Sequence, residues 1–180
     1  MIYYRESMKI RKATKKDVDE IVELTHQLFM SQINNCQVDF NLNKNFKTVQ
    51  KRCILKDMKN PKNAFFVAVA PRSARRTRQQ YSTLREENEK LAGFISGKVE
   101  IDSPVYVNRI NGRVNGFYVK DTFRSKGVGK KLFAEMKKWF KKKKAKSLRI
   151  QVARCNIGAK RAYNSLGFEP ADFEQLILKM

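Results

Sequence analysis

Carboxylates are scarce in this chain of 180 residues: 17 Asp and Glu stand against 39 Lys and Arg, a formal charge of +22. Histidine is scarcer still, with His26 alone. The three cysteines, Cys36, Cys53 and Cys155, are an odd number, widely spaced, and form no CxxC pair. A structural zinc site draws on several such ligands at close spacing, so no metal is expected. A chain of this length buries a real core without staples, and no disulfide is needed. No run approaches the ~18–20 apolar residues of a membrane span. The opening Met1-Ile-Tyr-Tyr-Arg-Glu holds no apolar leader segment. The expectation is a cytoplasmic protein with no membrane association, as a monomer or a homodimer.

What is abundant is positive charge. A field of that sign attracts anions such as nucleic acid, ribosomes, phosphorylated cofactors and acidic acceptors, and it repels polycations. A solvated lysine-rich surface accounts for it equally well. Net charge speaks to association and not to fold.

The patterning reads as one domain over residues 8–180 after a short extension, 1–7. Met8 to Thr14 alternates like a strand, and Thr14 opens a helix with Asp17 as its capping-box-like partner. Val18, Ile21, Val22, Thr25, Leu28 and Phe29 recur at helical spacing and make one buried face. His26 lies at the edge of that face, where a packing or surface role is favoured over catalysis. Asn34–Asn43 is polar and reads as a loop. Residues 44–59 form a weaker helical pattern that stops before Pro61. Ala64–Ala70 is a continuous apolar run, hence a buried strand. Leu91–Val99 reads as its neighbour, and Val114–Val119 as a third strand. Gly116, inside that third strand, marks a bulge or a close approach. Between the first two of these strands, residues 71–90 exceed any hairpin turn and form a basic insertion with Arg72, Arg75, Arg76 and Arg78. A solvated loop is preferred there over an anion contact. After Gly129 comes an amphipathic helix with Val128, Leu132, Met136, Trp139 and Phe140 on one face. Ser147–Ala153 returns as a strand, Asn156 can cap a last helix that Gly167 stops, and Glu174–Met180 closes as a strand.

The chemistry concentrates between Asn115 and Phe168. A strand runs into Arg124-Ser125-Lys126-Gly127-Val128-Gly129-Lys130, and a helix follows at once. Two glycines let the backbone approach a ligand. The new helix offers unpaired N–H groups and a positive dipole end, so the segment can cradle a diphosphate. Arg124, Lys126 and Lys130 add charge. Neither the lysine-bearing phosphate-loop pattern nor the GxGxxG dinucleotide spacing is met.

Arg124, Gly127 and Gly129 resemble the coenzyme A motif of GNAT acetyltransferases, Gln or Arg followed at the third and fifth places by Gly and by Gly or Ala. Downstream, Asn156, Ala159, Tyr163, Gly167 and Phe168 are similar to that family's N-x-x-A-x-x-x-Y-x-x-x-G-F pattern. The order of elements from Met8 onward fits as well. The resemblance implies an α/β (α+β) fold: a mixed, mostly antiparallel central sheet of six or seven strands with helices on both faces. The strands at 112–119 and 147–153 would be parallel and splayed around a cleft. It implies acetyl-CoA as co-substrate, its pyrophosphate on residues 124–130. Phe117, Tyr118 and Val119 would hydrogen-bond the pantetheine arm through their backbone and polarise the acetyl carbonyl. Asn156 would cap its helix, contact the pantetheine, or do both. Tyr163 would be the general acid toward the leaving thiolate. The function implied is N-acetyl transfer to a primary amine on a neutral or acidic acceptor. The alternative is a non-catalytic module of the same fold that docks on nucleic acid or a ribosome through its basic surface.

One departure stands out. Many family members carry an acidic residue, the general base, on the strand before the loop, where this chain has Asn115 and Gly116. Glu100, Asp102 or a water relayed to a backbone carbonyl are the substitutes.

Overall fold

The computed structural model describes residues 8–36, 42–70 and 91–171. The basic insertion 71–90 and the closing strand expected over 174–180 lie outside them.

The chain opens with β1 (Lys9–Lys12), a one-turn 3₁₀ segment over Lys15–Asp17, then α1 (Val18–Cys36) and α2 (Phe46–Lys59). The cap expected at Thr14 is made: its backbone N–H and its hydroxyl both donate to the Asp17 carboxylate, at 2.7 and 2.9 Å. Arg11 binds the same carboxylate with both guanidinium nitrogens at 2.8 Å. This ties the end of β1 to the start of α1. The helix α1 runs to Cys36, two residues past the point where Asn34 and Asn35 suggested a loop. Tertiary packing of a long apolar stripe outweighs the weak helix preference of asparagine.

Five strands are described, β1, β2 (Asn63–Val69), β3 (Leu91–Ile101), β4 (Ile110–Val119) and β5 (Ser147–Ile150), in the spatial order 1-2-3-4-5. The first four pair antiparallel, and β5 lies parallel to β4. That is the mixed, mostly antiparallel sheet the sequence implied. Between β4 and β5 sits α3 (Val128–Lys142), and α4 (Ile157–Asn164) follows β5.

The apolar run of β2 is continuous because both faces of the sheet are covered. Phe65, Val67 and Val69 join Val18, Ile21, Val22, Leu24 and Ile54 of α1 and α2 on one side. Ala64 and Ala68 face the other way, into a core with Val128, Leu132, Phe133, Met136 and Phe140 of α3. Each large side chain buried there contributes about 1.5–3 kcal/mol relative to exposure. Phe140 presses so closely on β4 that a Cβ on Gly112 would lie 2.6 Å from its ring. Only glycine fits there without moving the helix.

Gly116 does mark a bulge. Across β3, Ser96 faces Gly116 while Gly97 faces Val114, so Asn115 is the extra residue. Bulges bend and twist a strand. The parallel pairing of β4 with β5 stops one residue earlier, at Val114 and Ile150. From Asn115 to Val119, β4 runs on without β5 beside it, and the two strands part as expected. β5 itself ends at Ile150, short of Ala153.

The cysteines depart from expectation. Cys36 at the end of α1 and Cys155 just before α4 form a disulfide with Cα atoms 5.5 Å apart, leaving Cys53 free and exposed. Nothing in their spacing of 119 residues announced the pair; only the fold brings the end of α1 to the β5–α4 connection.

Candidate functional site

Where β4 leaves β5, the next turns of chain build the glycine loop. A 3₁₀ turn over Asp121–Phe123 leads to Arg124, and Ser125 follows with φ 58°, a left-handed value unusual for a serine. Gly127 caps α3 with φ 76° and ψ 3°, a conformation glycine adopts freely. Nothing lies within 4 Å of the place a Cβ on Gly127 would take, so that side of the loop is open. The first helical bond of α3 is Lys131 N–H to the Gly127 carbonyl, 3.1 Å. The N–H groups of Val128, Gly129 and Lys130 precede it and have no place in the helix ladder. An open left-handed glycine followed by these donors, at the positive end of a 15-residue helix, fits a diphosphate.

Two of the three cations expected beside the diphosphate make contacts within the loop itself. Arg124 was expected to add charge to the phosphate site. Its Nε instead donates to the Val119 carbonyl at 3.1 Å, its guanidinium pairs with Asp121 at 2.7 Å, and it covers the Tyr118 ring. Lys126 likewise donates to the Thr122 carbonyl at 2.8 Å and lies over Phe123. Both therefore brace the loop. Lys130 is exposed and has no ion-pair partner among the described residues.

The bare half of β4 holds Phe117, Tyr118 and Val119. The Phe117 ring packs beneath the glycine loop: a Cβ on Gly129 would meet it at 3.6 Å. On its other side Phe117 stacks on Tyr163 of α4, with ring centroids 6.2 Å apart. Phe168 closes the group, edge-on to Tyr163 at 6.1 Å and tilted on Phe133 at 5.3 Å. Burial pushes the Tyr163 phenol above its ordinary value of 10.0. No described residue hydrogen-bonds its hydroxyl. The result is a protonated phenol on an aromatic wall, with its donor unspent. Tyr118 is also pushed up, by burial and then by Asp121. Sequence reasoning missed the Phe117–Tyr163–Phe168 wall, because it treated Phe117 as backbone only. No local signal announced it, because Phe117 lies more than 40 residues from Tyr163 and Phe168 in the sequence and only the fold brings them together.

Asn156 caps α4: its side-chain oxygen accepts from the Ala159 N–H at 3.0 Å. Its amide nitrogen stays available to a ligand. The two carboxylates considered as bases are taken up elsewhere. Glu100 pairs with Lys98 at 2.9 Å and Arg113 at 3.6 Å. Asp102 accepts from Asn111 at 2.6 Å and Arg149 at 3.0 Å. Ser96 faces the bulge, and Glu100 lies four residues beyond it on β3, about 13 Å along the strand. Neither carboxylate is brought to the open half of β4. His26 packs on Phe46 at 5.5 Å, far in sequence from the loop and in the packing role expected for it. Among the described residues no three His, Cys, Asp or Glu side chains gather as a metal site. No described helix is long and apolar enough to cross a membrane.

Comparison with known proteins agrees with this geometry. The family model described as the Acetyltransferase (GNAT) family matches residues 53–168, more than half of the chain. No curated protein matches the sequence. Among solved structures, a tetramutant of the BH1408 protein from Bacillus halodurans superposes with a TM-score of 0.75 at 20% identity, covering 96% of this chain and 100% of that one. The aminoglycoside N-acetyltransferase AAC(6')-Iy in complex with CoA gives 0.72 at 18% identity, covering 99% of each chain. A predicted acetyltransferase from Clostridium acetobutylicum, solved with acetyl-CoA, gives 0.71 at 17% identity and 96% coverage of each. At these identities the likeness is one of fold.

Proposed function

The chain belongs to the GNAT acetyltransferase family, and from that premise we propose that it moves the acetyl group of acetyl-CoA to a primary amine by direct attack while both substrates are bound. The observation that carries the reading is the open left-handed Gly127 at the start of α3, where Gly129 lies against Phe117 and Val119 on the half of β4 that runs on without β5. A diphosphate-bearing thioester laid along that path would meet backbone donors at both ends.

The co-substrate supplies an activated acetyl carbonyl and a thiolate leaving group. The N–H groups at 127–130 hold its pyrophosphate. The backbone of Phe117, Tyr118 and Val119 orients the pantetheine arm and gives an N–H to the carbonyl oxygen as negative charge builds there. Such preorganised donors are worth about 3–4 kcal/mol each. Holding both reactants together supplies the proximity term. Tyr163 donates a hydrogen bond to the departing sulfur, which leaves as the thiolate. A thiol has a free pKa near ~8.5, so a phenol held above 10.0 acts mainly by hydrogen bonding before the sulfur charge is complete. Asn156 positions Tyr163 by capping its helix and offers its amide to the pantetheine.

Deprotonation of the acceptor ammonium we assign to water relayed to a backbone carbonyl, because Glu100 and Asp102 are held in ion pairs away from the open half of β4. The acceptor is an amine on a neutral or acidic molecule, such as an amino acid, a protein N-terminus or an aminoacylated nucleotide. Polyamines are repelled by a protein of charge +22. The site of action is the cytoplasm, where acetyl-CoA is available.

The test is thiol release from acetyl-CoA against a panel of these amines, with spermidine as the disfavoured member. Release stimulated by a neutral or acidic amine supports the reading. Tight acetyl-CoA binding with no amine-dependent release would overturn it.

A further inference from the structure

Exposed apolar surface gathers at the end of the sheet opposite the glycine loop. Of the five large hydrophobic residues exposed among the described ones, four are Ile101, Val105, Tyr106 and Val107. They sit at the end of β3 and on its connection to β4. Tyr106 is 61% exposed and Val107 98%. Beside them run two adjoining grooves of about 770 and 680 Å³, which share Val107, Asn108 and Lys146. Arg109, Lys141 and Lys144 edge the first; Tyr106, Ser103 and Arg149 line the second. The one carboxylate there, Asp102, is already matched by Arg149 and Asn111. No carboxylate among the described residues pairs with Lys141, Lys144 or Lys146.

Lysines at the end of α3 suit the helix dipole, and that alone explains cations in its last turn. It does not explain an exposed tyrosine between two exposed valines, nor a concave surface. Nor does it explain Lys144, which takes φ 61° just past the helix end. That position usually holds glycine or asparagine, because an L side chain there is strained. Here it carries an ammonium to the groove instead.

We propose that this groove docks single-stranded nucleic acid. Phosphates lie on Arg109, Lys141, Lys144 and Lys146, and a base stacks on Tyr106. A cationic groove with an exposed aromatic platform is the recurrent solution for single strands, whose bases are free to stack. An anionic membrane would meet the exposed valines, but a flat bilayer does not fill a groove lined by Ser103 and Asn108. The site is separate from acetyl transfer. β4 starts at Ile110 beside the groove and ends at Val119 beside the glycine loop, 10 residues or about 30 Å.

The experiment is fluorescence anisotropy of the full chain with a labelled oligouridylate and an oligothymidylate of about a dozen nucleotides, over about 50–200 mM salt. A duplex, heparin and phosphatidylserine vesicles serve as competitors. Binding of either strand should weaken steeply with salt. The triple variant Lys141→Gln, Lys144→Gly, Lys146→Gln should flatten the log–log slope by about 2, at about 0.7 per phosphate contact. Tyr106→Ala should weaken binding about 5–100-fold with the slope unchanged. Lys144→Gly alone relieves its backbone, so a weaker complex from that variant is not a folding defect. Thiol release should be unaltered in all of these. The proposal is overturned by no binding at the lowest salt, by Tyr106→Ala binding as the parent does, or by tighter binding to duplex, heparin or vesicles than to either strand.

Discussion

Replacing Tyr163 with phenylalanine isolates one atom. The ring would keep its stack on Phe117 at 6.2 Å and its edge contact with Phe168 at 6.1 Å. The hydroxyl donates to no described residue, so removing it breaks no hydrogen bond among them. The stability change should fall within the roughly ±0.5 kcal/mol typical of substitutions that disturb no core or network. Turnover should respond differently. Losing a general acid costs about 10²–10⁴-fold, which is about 2.7–5.4 kcal/mol of barrier at 1.36 kcal/mol per decade. Acetyl-CoA affinity should stay within about twofold, since that binding rests on backbone donors at the glycine loop. The assay is disulfide-dye detection of released CoA. Exposed Cys53 contributes a fixed background that scales with protein, so enzyme must stay dilute relative to product.

The pH dependence sharpens the test. Burial raises the phenol above 10.0, so Tyr163 stays protonated throughout the neutral range and adds no alkaline limb below that value. An acid limb, where the acceptor amine is held as ammonium, should survive in Tyr163→Phe at the same pH. A variant that turns over at the parent rate would show that Tyr163 only packs, and the acid would have to be sought elsewhere.

Gly127→Glu puts a carboxylate into the open space beside the loop and forces a left-handed φ on a side chain, a cost of about 1–2 kcal/mol; calorimetry should find acetyl-CoA binding abolished while circular dichroism stays native. Gly127→Asn, which tolerates that φ, should retain partial binding, and unchanged affinity in the glutamate variant would refute the site. Thiol titration of the denatured, unreduced chain should find only Cys53, with Cys36 and Cys155 appearing after reduction; three thiols without reductant would remove the disulfide. With a sequence separation of 119 between the bonded cysteines, closing the loop stabilises by at most about 4–5 kcal/mol, so reductant should lower Tm. Burial raises the Asp17 carboxyl, but the hydrogen bonds from Arg11 and Thr14 outweigh it and hold the pKa below 3.8. The stability this gives is full above about pH 3.8 and is lost as pH falls through the lower folded value. Asp17→Asn should cost about 1.5–3 kcal/mol at neutral pH, with the difference from the parent shrinking below pH 3.8 in acid melts.

Much of this fold was legible because its signals are local. Thr14 and Asp17 lie three residues apart, and the spacing alone names the cap. Gly116 in an apolar strand announced a bulge, and the register confirms one. The α3 stripe from Val128 to Phe140 repeats at helical spacing and needs no partner to be recognised. The glycine loop is legible for the same reason, since Gly127, Gly129 and the helix they open are contiguous. What could not be read depends on distant residues meeting. Cys36 and Cys155 are neighbours only in the fold, with the end of α1 beside the β5–α4 connection. The aromatic wall unites β4, α4 and the residue after Gly167.

The cations show the same boundary from the other side. Sequence counts charges, and it assigned Arg124 and Lys126 to the anion they flank. The fold spends both on carbonyls of their own loop, Val119 and Thr122. A surplus of lysine makes this affordable, because the helix N-terminus and a field of +22 already attract a diphosphate. A side chain that fixes the loop in shape then serves binding more than one that adds a further charge, since donors held in place cost no reorganisation when the ligand arrives. Asn115 leaves the strand before the loop without a carboxylate. Under the proposed reaction, positive charge around the site would favour the neutral form of an amine acceptor, and less base strength would then be required of the relayed water.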